Sequence, residues 1–184
     1  MTKIIKGNFD LELAKHYTNL IYQFEDDLTK KELSDIYLNY LESTDLKRIF
    51  ANMGAEGKVF ISGIHAIKYP YISYEDMNIK REKLIHEFDI GTELEQIGLN
   101  VPKMHAVCEY EDLLFLIMQR LNLTPFEQLT RKQKTEAKKQ FTKQFILARD
   151  SFYLPGDTNL ETNYGFDIKE NKGFFYDFTD WRQI

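Results

Sequence analysis

The stretch GDTNLETNYGFDIKENKGFFYDF, Gly156 to Phe178, concentrates side chains suited to phosphoryl chemistry. Asp157 follows Pro155-Gly156 in a loop setting, where a carboxylate can accept a hydroxyl proton or orient the hydroxyl for attack on a phosphoryl group. Asn159 and Asn163 follow it closely, and Asp177 stands before Phe178 at the far end. Amide and carboxylate oxygens of the kind carried by Asn163 and Asp177 suit Mg²⁺, which takes few protein ligands and completes its shell with phosphates and water. Taken singly, loop Asp and Asn are more often turn formers than ligands.

Three upstream features bear on the same chemistry. Gly54-x-x-Gly57-x-Val59 falls between β-type runs, and glycines there let backbone N–H groups approach a phosphate closely. An ordinary hairpin turn has the same look. Lys68 lies eleven residues after Gly57 in the strand-like HAIK, where it points one way and the flanking apolar Ala66 and Ile67 point the other. It could reach phosphate oxygens or be a solvated edge lysine. Glu87 falls mid-helix and could pair with Lys68, with Asp89 and Glu93 as nearby alternatives.

Weak singly, these pieces occur in a telling order. Gly loop, strand lysine, helix glutamate, loop aspartate, asparagine and Asp-Phe resemble the protein-kinase signature over roughly residues 46–180. FLIMQRL resembles the hinge strand that carries the adenine-binding backbone, with Met118 to Leu121 as connector, and HEFDIGTELEQIGLNVPKMHAV resembles the family's helix-to-strand passage. The resemblance implies that Gly54, Gly57, Val59, Lys68, Glu87 and Met118 bind ATP. It also implies that Asn163 and Asp177 hold Mg²⁺ and that Asp157, with Lys68, is catalytic. The implied function is transfer of the γ-phosphate to a protein hydroxyl. The alternative is a pseudokinase, a binding module that acts by protein contact without transfer.

Four departures from the pattern separate these two. Pro155 stands where His or Tyr is expected, two residues before Asp157. Asn163 comes six residues after Asp157 instead of five, and Asn159 is a substitute. Thr179 replaces the glycine of Asp-Phe-Gly. With Trp181 to Ile184 following Asp180, the expectation is a chain lacking an activation segment and later substrate-binding helices.

The elements that must position these residues follow from periodicity. Residues 9–49 read as helical through Leu13, Tyr17, Leu20, Ile21 and Phe24, with Thr29 capping a second helix. RIFANMGAEGKVFISGIHAIKYPYI reads as three antiparallel strands, and NIKREKLIHEFDIGTELEQIG as a helix ended by Gly98. KMHAVCEYEDLLFLIMQRL gives two more strands around a Glu-Asp turn. A short helix opens at Thr124-Pro125, a longer one carries a stripe of Phe141, Phe145, Ala148 and Phe152, and YGFDIKENKGFFYDF forms a hairpin. The class is α+β, protein-kinase-like: a five-stranded antiparallel N-lobe with one inserted helix, a reduced helical C-lobe and extra N-terminal helices. The expected divisions are 1–45, 46–121 and 122–184.

The 184 residues carry a net charge of −5 and are 43% hydrophobic, so a packed core is expected and no overall basic field points to a nucleic acid or an anionic membrane as partner. No apolar run approaches a membrane span, the N-terminus lacks the apolar core of a signal peptide, and the single Cys108 suits a reducing compartment. A cytoplasmic protein with ATP and a protein substrate as partners is the expectation.

Overall fold

Asp10 stands where a helix start needs an acceptor: its Oδ1 takes the N–H of Leu13 at 2.7 Å and caps the first helix, α1 (Leu11–Lys30). The computed structural model describes residues 1–30, 57–70, 77–124, 126–155, 164–178 and 180–184. Ala14, Tyr17 and Ile21 recur at helical spacing and form the buried stripe of α1. The helix runs through Thr29, so Thr29 does not cap a second helix; with no Gly or Pro before it, nothing breaks the helical run there. The rest of the expected helical span, from residue 31, and the first of the three expected strands, before Gly57, lie outside the described residues.

The chain forms two compact units, Met1–Arg81 with His105–Arg120, and Glu82–Met104 with Leu121–Ile184. The first is built on a five-stranded sheet in the order β1 (Lys3–Gly7), β4 (Met104–Tyr110), β5 (Leu113–Gln119), β3 (His65–Pro70), β2 (Gly57–Ser62). Its registered pairs β1–β4, β2–β3 and β3–β5 are antiparallel. The α+β class with a five-stranded antiparallel sheet therefore stands, but one edge strand comes from residues ahead of α1, a strand not expected from KIIKG. α1 covers one face. Phe60, Ile67, Tyr69, Ala106, Cys108, Leu113, Phe115 and Ile117 meet its buried stripe there. Each large side chain so buried contributes about 1.5–3 kcal/mol.

The second unit has the later part of α2 (Met77–Gln96), a single 3₁₀ turn at Phe126–Gln128, α3 (Arg131–Asp150) and short strands β6 (Tyr153–Leu154), β7 (Tyr164–Asp167), β8 (Lys172–Phe175) and β9 (Arg182–Gln183). α2 ends as expected: Gly98 takes φ +90° and Leu99 N–H bonds back to Leu94 C=O at 3.0 Å. Thr130 and Gln133 form a reciprocal capping box at the start of α3. The expected α3 stripe is shorter than its spacing suggests. Ala148 is buried, but Phe152 lies past the helix end at φ +67° with 65% of its surface exposed. Its N–H bonds to the Arg149 carbonyl as the chain turns away.

The β7–β8 hairpin closes as its turn residues require. Asp167 Oδ1 accepts from the N–H groups of Lys169 at 2.8 Å and Glu170 at 3.1 Å. α3 grips it through two glutamines. Gln140 accepts from Gly173 N–H at 2.9 Å, while the buried Gln144 donates to the Gly173 carbonyl at 3.1 Å and accepts from Asn100 N–H at 2.9 Å.

Candidate functional site

Strand alternation decides which residues near Lys68 share its side of the sheet. Ile67 and Tyr69 face α1, so Lys68 faces the other way. Ala66, expected on the apolar side with Ile67, lies two residues from Lys68 and therefore shares the lysine's face. Across the ladder Val59 is directly opposite Lys68, and Leu116 is opposite it on the other flank. One pleat along, Ile61, Ala66 and Met118 form the matching row.

Three of the expected nucleotide-binding residues, Val59, Lys68 and Met118, are thus brought onto the sheet face that α1 leaves uncovered. Leu116 is fully buried, Met118 is 9% exposed, and Lys68 is half-buried. This face is a narrow apolar platform with one ammonium in its row. Ile61 and Leu116 are not singled out in the sequence, and Ala66 is assigned there to the opposite face, although strict alternation in HAIK is enough to place it with Lys68.

The far edge of the same unit is held by a carboxylate. Glu109 lies on β4, alternating with Ala106 and Cys108, which face α1. It pairs with Lys3 of β1 at 2.8 Å and with Arg81 of α2. The hydrogen bond from Lys3 is the main cause that holds its carboxyl below the usual carboxylate range, with burial opposing and Arg81 adding to the depression. This pair of cations fixes the edge strand and the first turns of α2 to β4.

In the second unit Glu87 is only 2% exposed, in a helical stripe with Leu84, Phe88, Gly91 and Leu94. A carboxylate in such a stripe is costly unless its charge is compensated, which sets it apart from a surface glutamate. The rivals differ: Asp89 is half-buried, and Glu93 accepts from the Tyr153 hydroxyl at 2.8 Å. His86, next to Glu87, donates from Nε2 to the Trp181 carbonyl at 2.7 Å. That bond ties the helix turn carrying Glu87 to the segment that follows Asp177.

Asp177 has left-handed backbone, φ +65°, and an exposed side chain between the buried Phe175 and Phe178. Such conformations outside glycine are uncommon and gather where a site holds a residue in place. Here the holding groups are visible. Trp181 meets Phe175 at 5.3 Å and Phe178 at 5.8 Å between ring centroids, and Phe175 in turn meets Tyr164 at 5.0 Å. Tyr176, beside Asp177, has its hydroxyl pKa raised chiefly by burial and further by the Asp177 and Glu127 charges. Gly54, Asp157, Asn159, Asn163 and Thr179 lie outside the described residues. Among the described residues no group of His, Cys, Asp and Glu forms a ready-made metal cluster.

No protein-family model matches the chain, and no curated protein matches it. Among solved structures it is similar to the Rio2 kinase of Chaetomium thermophilum, determined as an ADP/Mg²⁺-phosphoaspartate complex. The TM-score is 0.56 at 16% identity, with 79% of this chain and 52% of that chain covered. The chain therefore spans about half the length of that kinase chain. At this identity the likeness shows the fold, and the fold is protein-kinase-like.

Proposed function

We propose that this chain is an ATP- and Mg²⁺-dependent phosphotransferase that passes the γ-phosphoryl group to a protein hydroxyl. The observation that carries the proposal is the sheet face on which Val59, Ala66, Leu116 and Met118 surround Lys68. An apolar strip suits a flat heterocycle, and one flexible ammonium in the same row suits phosphate oxygens. The exposed Asp177, in left-handed backbone, carries an oxygen ligand of the kind that suits a hard cation.

When bound, ATP with Mg²⁺ supplies the phosphoryl group and neutralises its charge. The chain's own work is positioning. Lys68 and the N–H groups of Gly54 and Gly57 hold phosphate oxygens, and Glu87 supplies the carboxylate that a phosphate-anchoring lysine requires. Asp177 with Asn163 or Asn159 offers oxygen ligands. Asp157 would accept the proton of the acceptor hydroxyl as its oxygen bonds to the γ-phosphorus and the bond from that phosphorus to the β,γ-bridging oxygen breaks, with ADP as the leaving group.

A pseudokinase that acts by contact is the second reading, favoured by Pro155 and the late Asn163. Thermal unfolding with and without ATP and Mg²⁺, beside radiolabelled phosphate transfer, separates the two. The proposal expects stabilisation that Lys68→Ala and Asp177→Ala abolish. It also expects transfer that is lost in Asp157→Ala while nucleotide stabilisation persists. Stabilisation of the wild type with no transfer to itself, to water or to lysate proteins would leave the binding module standing. No stabilisation at all would overturn the phosphotransferase proposal.

A further inference from the structure

We infer that the outward face of α3, with Phe152 beyond its end, is a docking surface for an anionic lipid bilayer. The net charge of −5 conceals a local field of the opposite sign: α3 carries seven basic residues against two acidic ones. Ala137, Gln144 and Ala148 are buried and define its inward side. Lys132, Lys139 and Lys143 are exposed and follow one another at seven- and four-residue spacing on the opposite side, with Arg131 beside them. From Arg131 to Lys143 this cationic stripe runs about 18 Å along the helix. Two acids lie along this face, Glu136 one turn after Lys132 and Asp150 two turns after Lys143, and each has a partner. Glu136 is half-buried and accepts from Gln140 Nε2, and Asp150 is paired with Arg149 at 2.9 Å.

The stripe ends in exposed apolar groups. Ile146 continues the Lys139–Lys143 row and is 42% exposed, Leu147 is 37% exposed, and the Phe152 ring is 65% exposed. Phe152 is also held in left-handed backbone, where a bulky residue is a true outlier. Ile184 adjoins it through its N–H, which donates to the Phe152 carbonyl at 2.8 Å. Cations along a helix that ends in bare aliphatic and aromatic groups match a bilayer surface: headgroups attract the cations, and the acyl boundary takes the apolar tip. A nucleic acid fits less well, because it has no counterpart for Ile146 and Leu147, which cannot stack on bases. Among the described residues no helix is long and apolar enough to cross a membrane, so this is surface docking and not a span.

Flotation of the full chain with vesicles tests the assignment, using phosphatidylcholine alone and phosphatidylcholine with phosphatidylserine. The expected result is flotation with the serine lipid only, weakened by added salt. Each of Lys139→Gln and Lys143→Gln should lower the partition coefficient about fivefold. Phe152→Asn, which keeps a residue type at ease in left-handed backbone, should lower it several-fold without lowering the unfolding midpoint. Flotation on neutral vesicles to the same extent, no flotation, or flotation indifferent to all three variants overturns the inference. So does tight retention of an RNA oligonucleotide without vesicle binding. The readout needs no nucleotide, so it stands or falls independently of the phosphotransferase proposal.

Discussion

The rings of Phe178 and Trp181 meet edge-on, with centroids 5.8 Å apart and planes at 84°, and both side chains are almost fully buried. Trp181 also touches Phe175, and its backbone carbonyl accepts from His86, so the ring and the main chain of one residue together secure the turn that follows Asp177. Trp181→Ala should cost about 3–5 kcal/mol in denaturant unfolding, the usual range for emptying a buried aromatic site. Trp181→Phe should cost less. A midpoint shift for Trp181→Ala no larger than that of the exposed Glu170→Ala would contradict this account of the turn.

Asp177 has φ +65°, a left-handed conformation that glycine adopts freely and that Asp, like Asn, tolerates at a small cost. Asp177→Gly should therefore leave stability unchanged or raise it by up to about 1 kcal/mol, since strain relief is opposed by the entropy of the unfolded chain. The same change should abolish stabilisation by ATP with Mg²⁺. Paired measurements of unfolding with and without the nucleotide check both halves. Loss of stability in the absence of nucleotide would mean that the aspartate is structural.

How much could be read from the chain alone follows from the range of each cause. Local causes were legible: Gly98 ended α2, the Asp167 turn closed its hairpin, and HAIK made a strand with Lys68 on it. Long-range causes were not. Lys3–Gly7 is short and mostly exposed or half-buried, and it becomes a strand only because β4, a hundred residues away, offers an edge. Phe152 sits in helical register with Phe141 and Ala148, yet one left-handed residue takes it off the helix. At the site, motif order identified Val59, Lys68 and Met118, but only the β2–β3–β5 register made them neighbours. Nothing in the local pattern marked Glu87 as buried or Asp177 as left-handed.

Two groups in the first unit should make its stability fall in separate steps as pH drops. His65 is 9% exposed, shares a 2.7 Å hydrogen bond with the Tyr17 hydroxyl, and has its pKa lowered by burial. Its contribution is present above the unfolded value of about 6.5 and is lost as pH falls through the lower folded value. Glu109 has a depressed carboxyl through Lys3 first and Arg81 as well, so its contribution is present above about 4.3 and is lost in a more acidic window. Unfolding free energies from pH 7 down to pH 3 should show His65→Phe removing the earlier decline and Glu109→Gln the later one. A single decline unaffected by either variant would disprove the assignment.

Two glycines in the second unit should respond oppositely to the same substitution. A Cβ on Gly173 would stand 1.8 Å from the Tyr164 Oη and 2.3 Å from its Cζ. That ring is 2% exposed and packed against Phe141 and Phe175, and its hydroxyl accepts from Gln144 at 3.3 Å. It cannot yield without breaking the grip of α3 on the hairpin, so Gly173→Ala should cost several kcal/mol, about 2–4 by analogy with overpacked cores. A Cβ on Gly91 would meet the Met104 Cε at 2.3 Å, the far end of an unbranched and adaptable side chain. Gly91 is also inside α2, where alanine favours the helix over glycine by about 1 kcal/mol. Gly91→Ala should therefore be near neutral. Denaturant midpoints of the two variants, measured side by side, check the contrast, and equal losses would show that the hairpin is not held through Tyr164.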